Sequence, residues 1–435
     1  MLRKSAMLPP PLRNHPLRKS LTNEMHLRSF PKLTAPAQMV QLLALHPADK
    51  ARTASFDHVC RLCKEIGLEE PARAKHIALR IDDTDFVWEE HSEFSTYTFV
   101  RHGAFDEPFA DPPFDQIPAA WIADVPGEIF RATKTALLDR DAPEPSPEML
   151  ARLFRIDDMA CCDVVGSAAR LWSDFRMAAD GFGRVLVHDR GLVGSDAPRL
   201  IQQIQELGNY RKMALLGLPV AQQLSEQLAA AESRLADLSR AIAEEESKDE
   251  ALLQDISALS ATLARLVADT RYRMGATYAY ADLVADRLES LDVTRVPGYS
   301  SLKDFNERRL LPAVRTCRSV ASRLENLSEH ASWTSALIRT RIDTAMNQQS
   351  RDLLASMNRR TQLQLRLQQT VEGLSVVAIS YYLVGLVHYV AEALAETRFA
   401  VPVPLVTGAS VPFVLLLVGL GLRRLRRALH GPDEG

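Results

Sequence analysis

The stretch GLSVVAISYYLVGLVHYVA at residues 373–391 contains 19 residues and no charged side chain. A second charge-free run of 24 residues covers 399–422. Each run is long enough to cross a hydrocarbon core of about 30 Å as a helix. Prolines at 402 and 404 weaken helix at the start of the second run, so we predict membrane spans at 373–394 and 405–422. The short connection can only turn the chain back, which predicts a C-terminal membrane hairpin.

Basic residues near the spans predict their orientation. Arg359, Arg360 and Arg366 precede the first span, and the connection holds only one arginine. The arginines that follow the second span are Arg423, Arg424, Arg426 and Arg427. The positive-inside rule therefore places both termini in the cytoplasm, with the lipid bilayer as a partner and most of the chain as a cytoplasmic body.

Small and polar residues recur along one face of the first span. They are Ala378, Tyr381, Gly385, His388 and Glu392. The spacing of three and four residues keeps them on one side of a helix. Such a stripe can line a pore or ion path, or it can pack against the second span or a neighbouring subunit. The residue types favour packing, and both interpretations stay open.

Composition and charge exclude several classes of protein. The 435 residues are 46% hydrophobic, carry a net charge of −3 and include five cysteines, which excludes a wholly disordered chain and a disulfide-built secreted scaffold. Residues 1–33 form a basic arm of net charge +6, and 34–422 carry −11. The arm has few aromatic residues and no recognisable nucleic-acid-binding module. We therefore expect a solvated or membrane-surface arm and no nucleic-acid partner.

Residues 196–372 are predicted to be a long-helix or coiled-coil region. Leucines and other apolar residues recur at heptad spacing on both sides of a polar stretch at 244–250. They are Leu224, Leu228, Ala231, Leu235, Leu238, Ile242, Leu252, Ile256, Leu259, Leu263 and Leu266. The pattern fits a hairpin turning near 245–249 or one long helix, and we favour the hairpin. We also predict a helix at 271–291 and a very long helix from Ser301 past Pro312 into the first span.

Residues 34–195 are predicted to form an α/β domain with a mixed or antiparallel sheet. Alternating apolar residues predict strands at 76–81, 85–90, 93–100, 127–137, 159–166, 167–175 and 181–189. Helical stretches are expected near 56–66, 118–122 and 196–206. The fold class is therefore α+β, and residues 423–435 complete the chain as an arginine-rich tail.

Candidate chemistry is sparse in this sequence. Cys60 and Cys63 follow His58 in a CxxC spacing that suits zinc or redox chemistry, but their helical face favours two buried structural thiols. Acidic residues cluster around Glu89, Glu90 and Glu93 beside His91, and at Asp174 and Asp180, where strand alternation favours solvated faces. Gly181-Phe182-Gly183 lacks the rest of a phosphate-binding fingerprint. We therefore predict no catalytic residue and no cofactor, and leave a metal site open.

Several long runs resemble a bacterial family of predicted membrane-anchored proteins, the domain of unknown function 3422. They are HPLRKSLTNEMHLRSFP (15–31), WEEHSEFSTYTF (88–99), ARLWSDFRMAADGFGRVLV (169–187), YRKMALLGLPVA (210–221) and LLASMNRRTQLQLRLQQTVEGLSVVAISYYLVGL (353–386). The resemblance covers nearly the whole chain. It implies a multi-pass protein of the bacterial inner membrane and supplies no activity and no catalytic residues.

The order of parts also resembles the CorA family of magnesium channels, in which a cytoplasmic α/β domain and long helices precede two spans and a basic tail. Those channels carry a Gly-Met-Asn signature that this sequence lacks. Our hypothesis is a non-enzymatic, membrane-anchored scaffold or interaction protein that forms a homo-oligomer. The alternative is a CorA-like channel or transporter whose partner is a divalent cation.

Overall fold

The computed structural model describes residues 15–19, 21–22, 32–46, 49–110, 112–114, 116–243, 249–395 and 402–429; for 49–52 and 425–429 it describes the backbone only. Most of the basic arm and the two predicted helix connections lie outside the described residues. The chain divides into two compact units. The first comprises Met1–Ser247 and Gln254–Ser335, and the second comprises Lys248–Leu253 and Ala336–Gly435.

The first unit contains a mixed sheet of nine strands within the described residues. The strands are β1 (Ala37–Leu45), β2 (His76–Ile81), β3 (Thr84–Glu90), β4 (Phe94–His102), β5 (Glu128–Leu138), β6 (Ala160–Val164), β7 (Ala169–Ser173), β8 (Gly183–Asp189) and β9 (Thr294–Arg295). Their order is β2-β3-β4-β1-β5-β8-β7-β6-β9. Only β5 and β8 pair in parallel among these neighbours. The predicted α+β class with a mixed sheet is confirmed.

Strand β1, which the sequence analysis did not predict, lies near the centre of the sheet. It pairs along its whole length with β4 on one side and with β5 on the other. Eight of its nine residues are buried, so its sequence AQMVQLLAL shows no alternation between apolar and polar positions. Alanine, glutamine, methionine and leucine also favour helix, and the strand forms because two neighbours satisfy its backbone.

Helices cover both faces of the sheet. Their bounds are α1 (Asp49–Glu65), α2 (Ala119–Ala123), α3 (Pro147–Leu153), α4 (Asp196–Leu215), α5 (Gly217–Ala243), α6 (Asp249–Ser290), α7 (Leu302–Ala395) and α8 (Val403–Leu429). On one face α4, α6 and α7 contribute Leu200, Tyr280 and Leu310 to the largest core. On the other face α1 and α2 pack on the aromatic side chains Trp88 and Tyr97. Burial on both faces supplies most of the stabilisation of this unit.

Helices α5 and α6 form the predicted hairpin, since α5 ends at Ala243 and α6 begins at Asp249. An Arg234–Asp255 ion pair of 3.2 Å joins the two helices across the hairpin. The separate helix predicted at 271–291 is wrong, because α6 continues without a break to Ser290. No glycine or proline turn interrupts it, and buried Met274 and Tyr280 continue its apolar face.

The start of α7 is a reciprocal capping arrangement. The Ser301 hydroxyl accepts a hydrogen bond from the Asp304 backbone N–H at 3.1 Å, and the Asp304 carboxylate accepts one from the Ser301 N–H at 2.9 Å. The Ser301 N–H and the Ser301 hydroxyl both donate to the Asp304 carboxylate, and these two bonds hold the pKa of Asp304 below its usual value. A capping box defines a helix start. The helix then runs 94 residues through Pro312, as predicted.

Candidate functional site

Three helices in the described part of the chain are long and apolar enough to cross a membrane: α6, α7 and α8. In α6, Ile256, Leu259 and Leu263 are buried inside the first unit. These three apolar residues of α6 therefore pack within the protein. The C-terminal part of α7 and helix α8 correspond to the two predicted spans.

The end of α7 and the start of α8 contact each other within the second unit. The His388 ring nitrogen Nδ1 lies 3.2 Å from the Thr407 hydroxyl. Ser380 and Ala391 of α7 and Val414 of α8 are at most 8% exposed. Small side chains at these positions allow two helices to approach closely.

The predicted stripe lies on a different side of α7 from this buried face. Ala378, Tyr381, His388 and Glu392 are exposed, and Tyr381 is 75% exposed. A Cβ atom added to Gly385 would meet nothing within 4 Å, so no described neighbour requires a glycine there. Only His388 joins the stripe to α8 among the described contacts. Packing of this stripe on a neighbouring subunit, or an ion path along it, stays a prediction.

Of the orienting arginines, Arg423 and Arg424 are exposed near the end of α8. The side chains of Arg426 and Arg427 lie outside the described residues. The positions of all four at the end of an apolar helix agree with the pattern used for the orientation, which itself stays a prediction.

The CxxC segment lies on α1, where it packs against the sheet. Cys63 is buried and Cys60 is half-buried, and burial raises the pKa of both thiols. A raised pKa reduces the thiolate fraction that redox and zinc chemistry need. No group of three or more histidine, cysteine, aspartate or glutamate side chains in the described residues could hold a metal ion.

His58, the third member of that motif, is fully buried against aromatic side chains. Its ring stacks on Trp121 with a centroid distance of 4.2 Å. The Arg61 guanidinium donates to its Nδ1 at 2.7 Å. Burial, and secondarily the charge of Arg61, lowers the pKa of His58 from 6.5 to about 4.

Lowering the pH from 6.5 to 4 is expected to destabilise the protein through His58. The folded protein keeps this ring neutral, whereas the unfolded chain binds a proton below pH 6.5, so the stabilisation present above pH 6.5 is lost as the pH falls. The full effect is about 3 kcal/mol in the free energy of unfolding. Urea unfolding of the wild type and of His58→Phe across this range measures it. A difference between the two proteins that does not change with pH would contradict the prediction.

The first acidic cluster is occupied by ion pairs. Glu93 binds Arg273 of α6 through both carboxylate oxygens, at 2.7 and 3.3 Å. Glu90 accepts from Arg73 at 2.6 Å. Glu89 lines a small cavity together with His91 and Tyr210, and Thr96 donates to its carboxylate at 3.4 Å. These contacts give the carboxylates structural partners.

The second acidic pair has a similar role. Asp174 accepts from the backbone N–H groups of Arg155 and Arg176 at 3.0 and 3.1 Å. Asp180 accepts from Lys134 at 2.9 Å, which contributes to lowering the pKa of Asp180. The segment around residue 181 is a turn before β8, where Gly181 has a φ of +83°. Asp174 and Asp180 therefore have structural hydrogen-bond partners, as Glu90 and Glu93 do.

Sequence reasoning missed a buried polar network centred on Arg131 of β5. The Nη1 atom of Arg131 donates to Gln205 at 2.8 Å, to Asn209 at 2.9 Å and to Gln41 at 3.2 Å. Gln41 lies on the unpredicted strand β1, and the other two acceptors lie on α4. No motif joins four residues so far apart in the chain. A lone arginine inside a predicted strand was the only available signal.

The described fold is an α+β body followed by helices long and apolar enough for a membrane. A model of a protein family of unknown function, DUF3422, matches residues 13–429. The match covers nearly the whole chain, so the protein belongs to this family, as the sequence resemblance predicted. No curated protein and no solved structure matches the chain. The resemblance to CorA channels stays a prediction.

Proposed function

We propose that this protein is a non-enzymatic scaffold, anchored in the bacterial inner membrane by α8 and the end of α7, that self-associates through α7. The observation that carries the proposal is an exposed segment of this helix. Every residue from 343 to 371 is exposed to solvent. Helices in proteins gain most of their stability from packing an apolar face. A segment of 29 consecutive exposed residues therefore favours packing on a partner helix.

The exposed segment carries a heptad series that we call the stalk seam. It comprises Met346, Ser350, Leu353, Met357, Arg360, Gln364, Leu367, Val371 and Leu374. Its steps alternate between four and three residues, the spacing of a coiled coil. The leucines of the stalk seam are each more than 60% exposed. Six of its nine residues are apolar, and a largely apolar stripe of this period fits a helix of the same kind.

The stalk seam continues in register into the predicted membrane stripe. Four residues after Leu374 comes Ala378, and the alternation then runs through Tyr381, Gly385 and His388. This side of α7 is distinct from the one at Ser380 and Ala391 that is buried. A second copy of the same chain, anchored in the same membrane and therefore parallel, matches the stripe along both of its parts. A second copy of the chain is therefore the partner that the pattern supports best.

Membrane anchoring and orientation are tested together by cysteine labelling in intact bacterial cells. Thr397→Cys places a thiol in the connection between the spans. Ser356→Cys places one on the exposed segment 343–371 of α7, which we call the stalk. We expect a membrane-impermeant maleimide to label residue 397 in intact cells and residue 356 only after lysis, because the positive-inside rule puts the stalk in the cytoplasm. The reverse pattern would contradict the orientation. Release of the unlabelled protein by alkaline carbonate would contradict the anchor.

A further inference from the structure

A strongly basic cavity lies beside the Arg131 network. It has a volume of about 150 Å³ and is lined by residues of β5, β8, α4 and the loop after β7. Its basic lining residues are Arg131, Arg176, Arg184, Arg211 and Lys212. No aspartate or glutamate of the described residues lines it. The cavity therefore concentrates positive charge.

Two of the five basic residues have carboxylate partners outside the cavity. Arg176 donates to Asp158 at 2.6 Å. Arg184 lies 3.6 Å from Asp180. These pairs partly neutralise Arg176 and Arg184. The remaining basic residues of the cavity are Arg131, Arg211 and Lys212.

The other three have no carboxylate within ion-pair distance among the described residues. Among the described residues, Arg131 donates its hydrogen bonds through Nη1, and the acceptors are neutral amide oxygens. The Arg211 guanidinium lies over the Phe175 and Phe305 rings, at 4.4 and 5.1 Å from their centroids. Its Nη1 atom is buried without a hydrogen-bond partner in that part of the chain. Aromatic faces attract the cation but do not neutralise it.

This arrangement disfavours the charged forms of the three side chains. Burial, together with the charge of Arg211, lowers the pKa of Arg131 to about 9, and burial lowers that of Arg211 to about 10. Burial and both arginines lower the pKa of Lys212. Arg131 and Arg211 are half-buried, whereas Lys212 is exposed. Leaving a buried charge without its partner is strongly destabilising in proteins. An anion in the cavity would remove this cost.

Two backbone features lie next to the arginines. A Cβ atom at Gly208 would lie 2.5 Å from Nη2 of Arg131, so the guanidinium occupies the space that a larger side chain at this position would need. Phe175 beside Arg211 has a φ of +53°, a strained value for an aromatic residue. A smaller cavity of about 30 Å³ lies against Arg131, Gly208 and Arg211. Both guanidinium groups therefore border the same inner space.

We propose that this cavity is a binding site for a phosphate group, either free or as a monoester, with Arg131, Arg211 and Lys212 as its ligands. Guanidinium groups bind phosphate through paired N–H donors, and the ammonium group adds a point charge. Three unpaired positive charges match a dianion better than a single carboxylate, which would leave two of them uncompensated. The site does not depend on the self-association proposed above.

Calorimetric titration of the intact protein in a zwitterionic detergent with inorganic phosphate tests the site. Binding to the wild type is expected, with affinity at least about tenfold weaker in Arg211→Met and in Lys212→Met, since each loses one charged ligand. Arg199→Met is the matched control, because Arg199 is exposed on the same helix and outside the cavity. Lys212 is also exposed, so Lys212→Met keeps the test decisive if Arg211→Met does not fold.

Two further titrations distinguish the sources of the phosphate group. Glycerol 3-phosphate represents a soluble monoester, and vesicles containing phosphatidic acid represent a lipid headgroup. If the protein binds one of these two ligands more tightly, and Lys212→Met weakens that binding, the ligand identifies the source of the phosphate group. Absence of binding to phosphate and to both monoesters at about 10 mM would overturn the proposal, since that concentration reveals even weak sites. Equal weakening by Arg199→Met would also overturn it.

Discussion

Replacing Leu367 by lysine is expected to dissociate the self-associated protein. In a symmetric pair of helices the change removes two buried leucines, each contributing about 1.5–3 kcal/mol by burial. The combined loss corresponds to about a 10²- to 10⁴-fold weaker association. Lysine also places two like charges face to face across the stalk seam. The molar mass of the intact protein in mild detergent, measured by light scattering over a range of concentrations, reports the change.

Leu365→Lys is the matched control for this substitution. Leu365 lies two residues away on the same helix and is 54% exposed, but it lies outside the stalk seam. We expect Leu365→Lys to keep the wild-type mass and Leu353→Lys to behave like Leu367→Lys. A wild-type protein that is strictly monomeric at micromolar concentration would contradict self-association. Equal dissociation by both Leu365→Lys and Leu367→Lys would contradict the stalk seam as its site.

Gly127→Ala is expected to destabilise the first unit by about 3 kcal/mol or more, through backbone strain and a steric clash. Gly127 precedes β5 and has a φ of +96°, a conformation that favours glycine. A Cβ atom there would lie 2.2 Å from the backbone carbonyl oxygen of Leu45, at the end of β1. Neither backbone can move without breaking the pairing of β1 with β5. Tryptophan fluorescence during urea unfolding measures the loss, because Trp88 of β3 and Trp172 of β7 are buried.

Gly103→Ala separates the two causes. Gly103 also has a positive φ, of +117°, but a Cβ atom there would meet nothing within 4 Å. We expect Gly103→Ala to cost only the backbone strain, about 1–2 kcal/mol. Equal destabilisation by the two substitutions would show that the contact with Leu45 has no energetic role. That result would contradict the proposed steric role of the close approach between Gly127 and Leu45.

Seven of the nine strands in the described residues could be predicted from local pattern, all except β1 and the short edge strand β9. His76–Ile81 agrees with its prediction at both ends, and β8 begins only two residues after the predicted start. Strand β1 could not be predicted, because burial on both faces removes the alternation on which strand prediction depends. The predicted break before residue 271 failed for a related reason. Apolar residues that continue the buried face of α6 keep it helical where the heptad series ends.

The candidate sites divide in a similar way. The membrane helices and the stripe from Ala378 to Glu392 follow from charge-free length and helical spacing, both of which are local properties. The Arg131 network and the basic cavity do not, since Gln41, Arg131 and Arg211 are 80 or more residues apart in sequence. Their meeting depends on β1 pairing with β5 and on α4 crossing the sheet.

The sequence by itself determined the α+β class, the helical middle and the two apolar helices, because periodicity and uninterrupted apolar length act over neighbouring residues. Only the tertiary structure decided the centre of the sheet, the side of α7 that is covered, and the absence of acidic residues around Arg131 and Arg211 in the described residues. These features depend on distant segments sharing one space. A sequence pattern does not report the spatial distance between segments that are remote in the chain. Burial and charge balance depend directly on that distance.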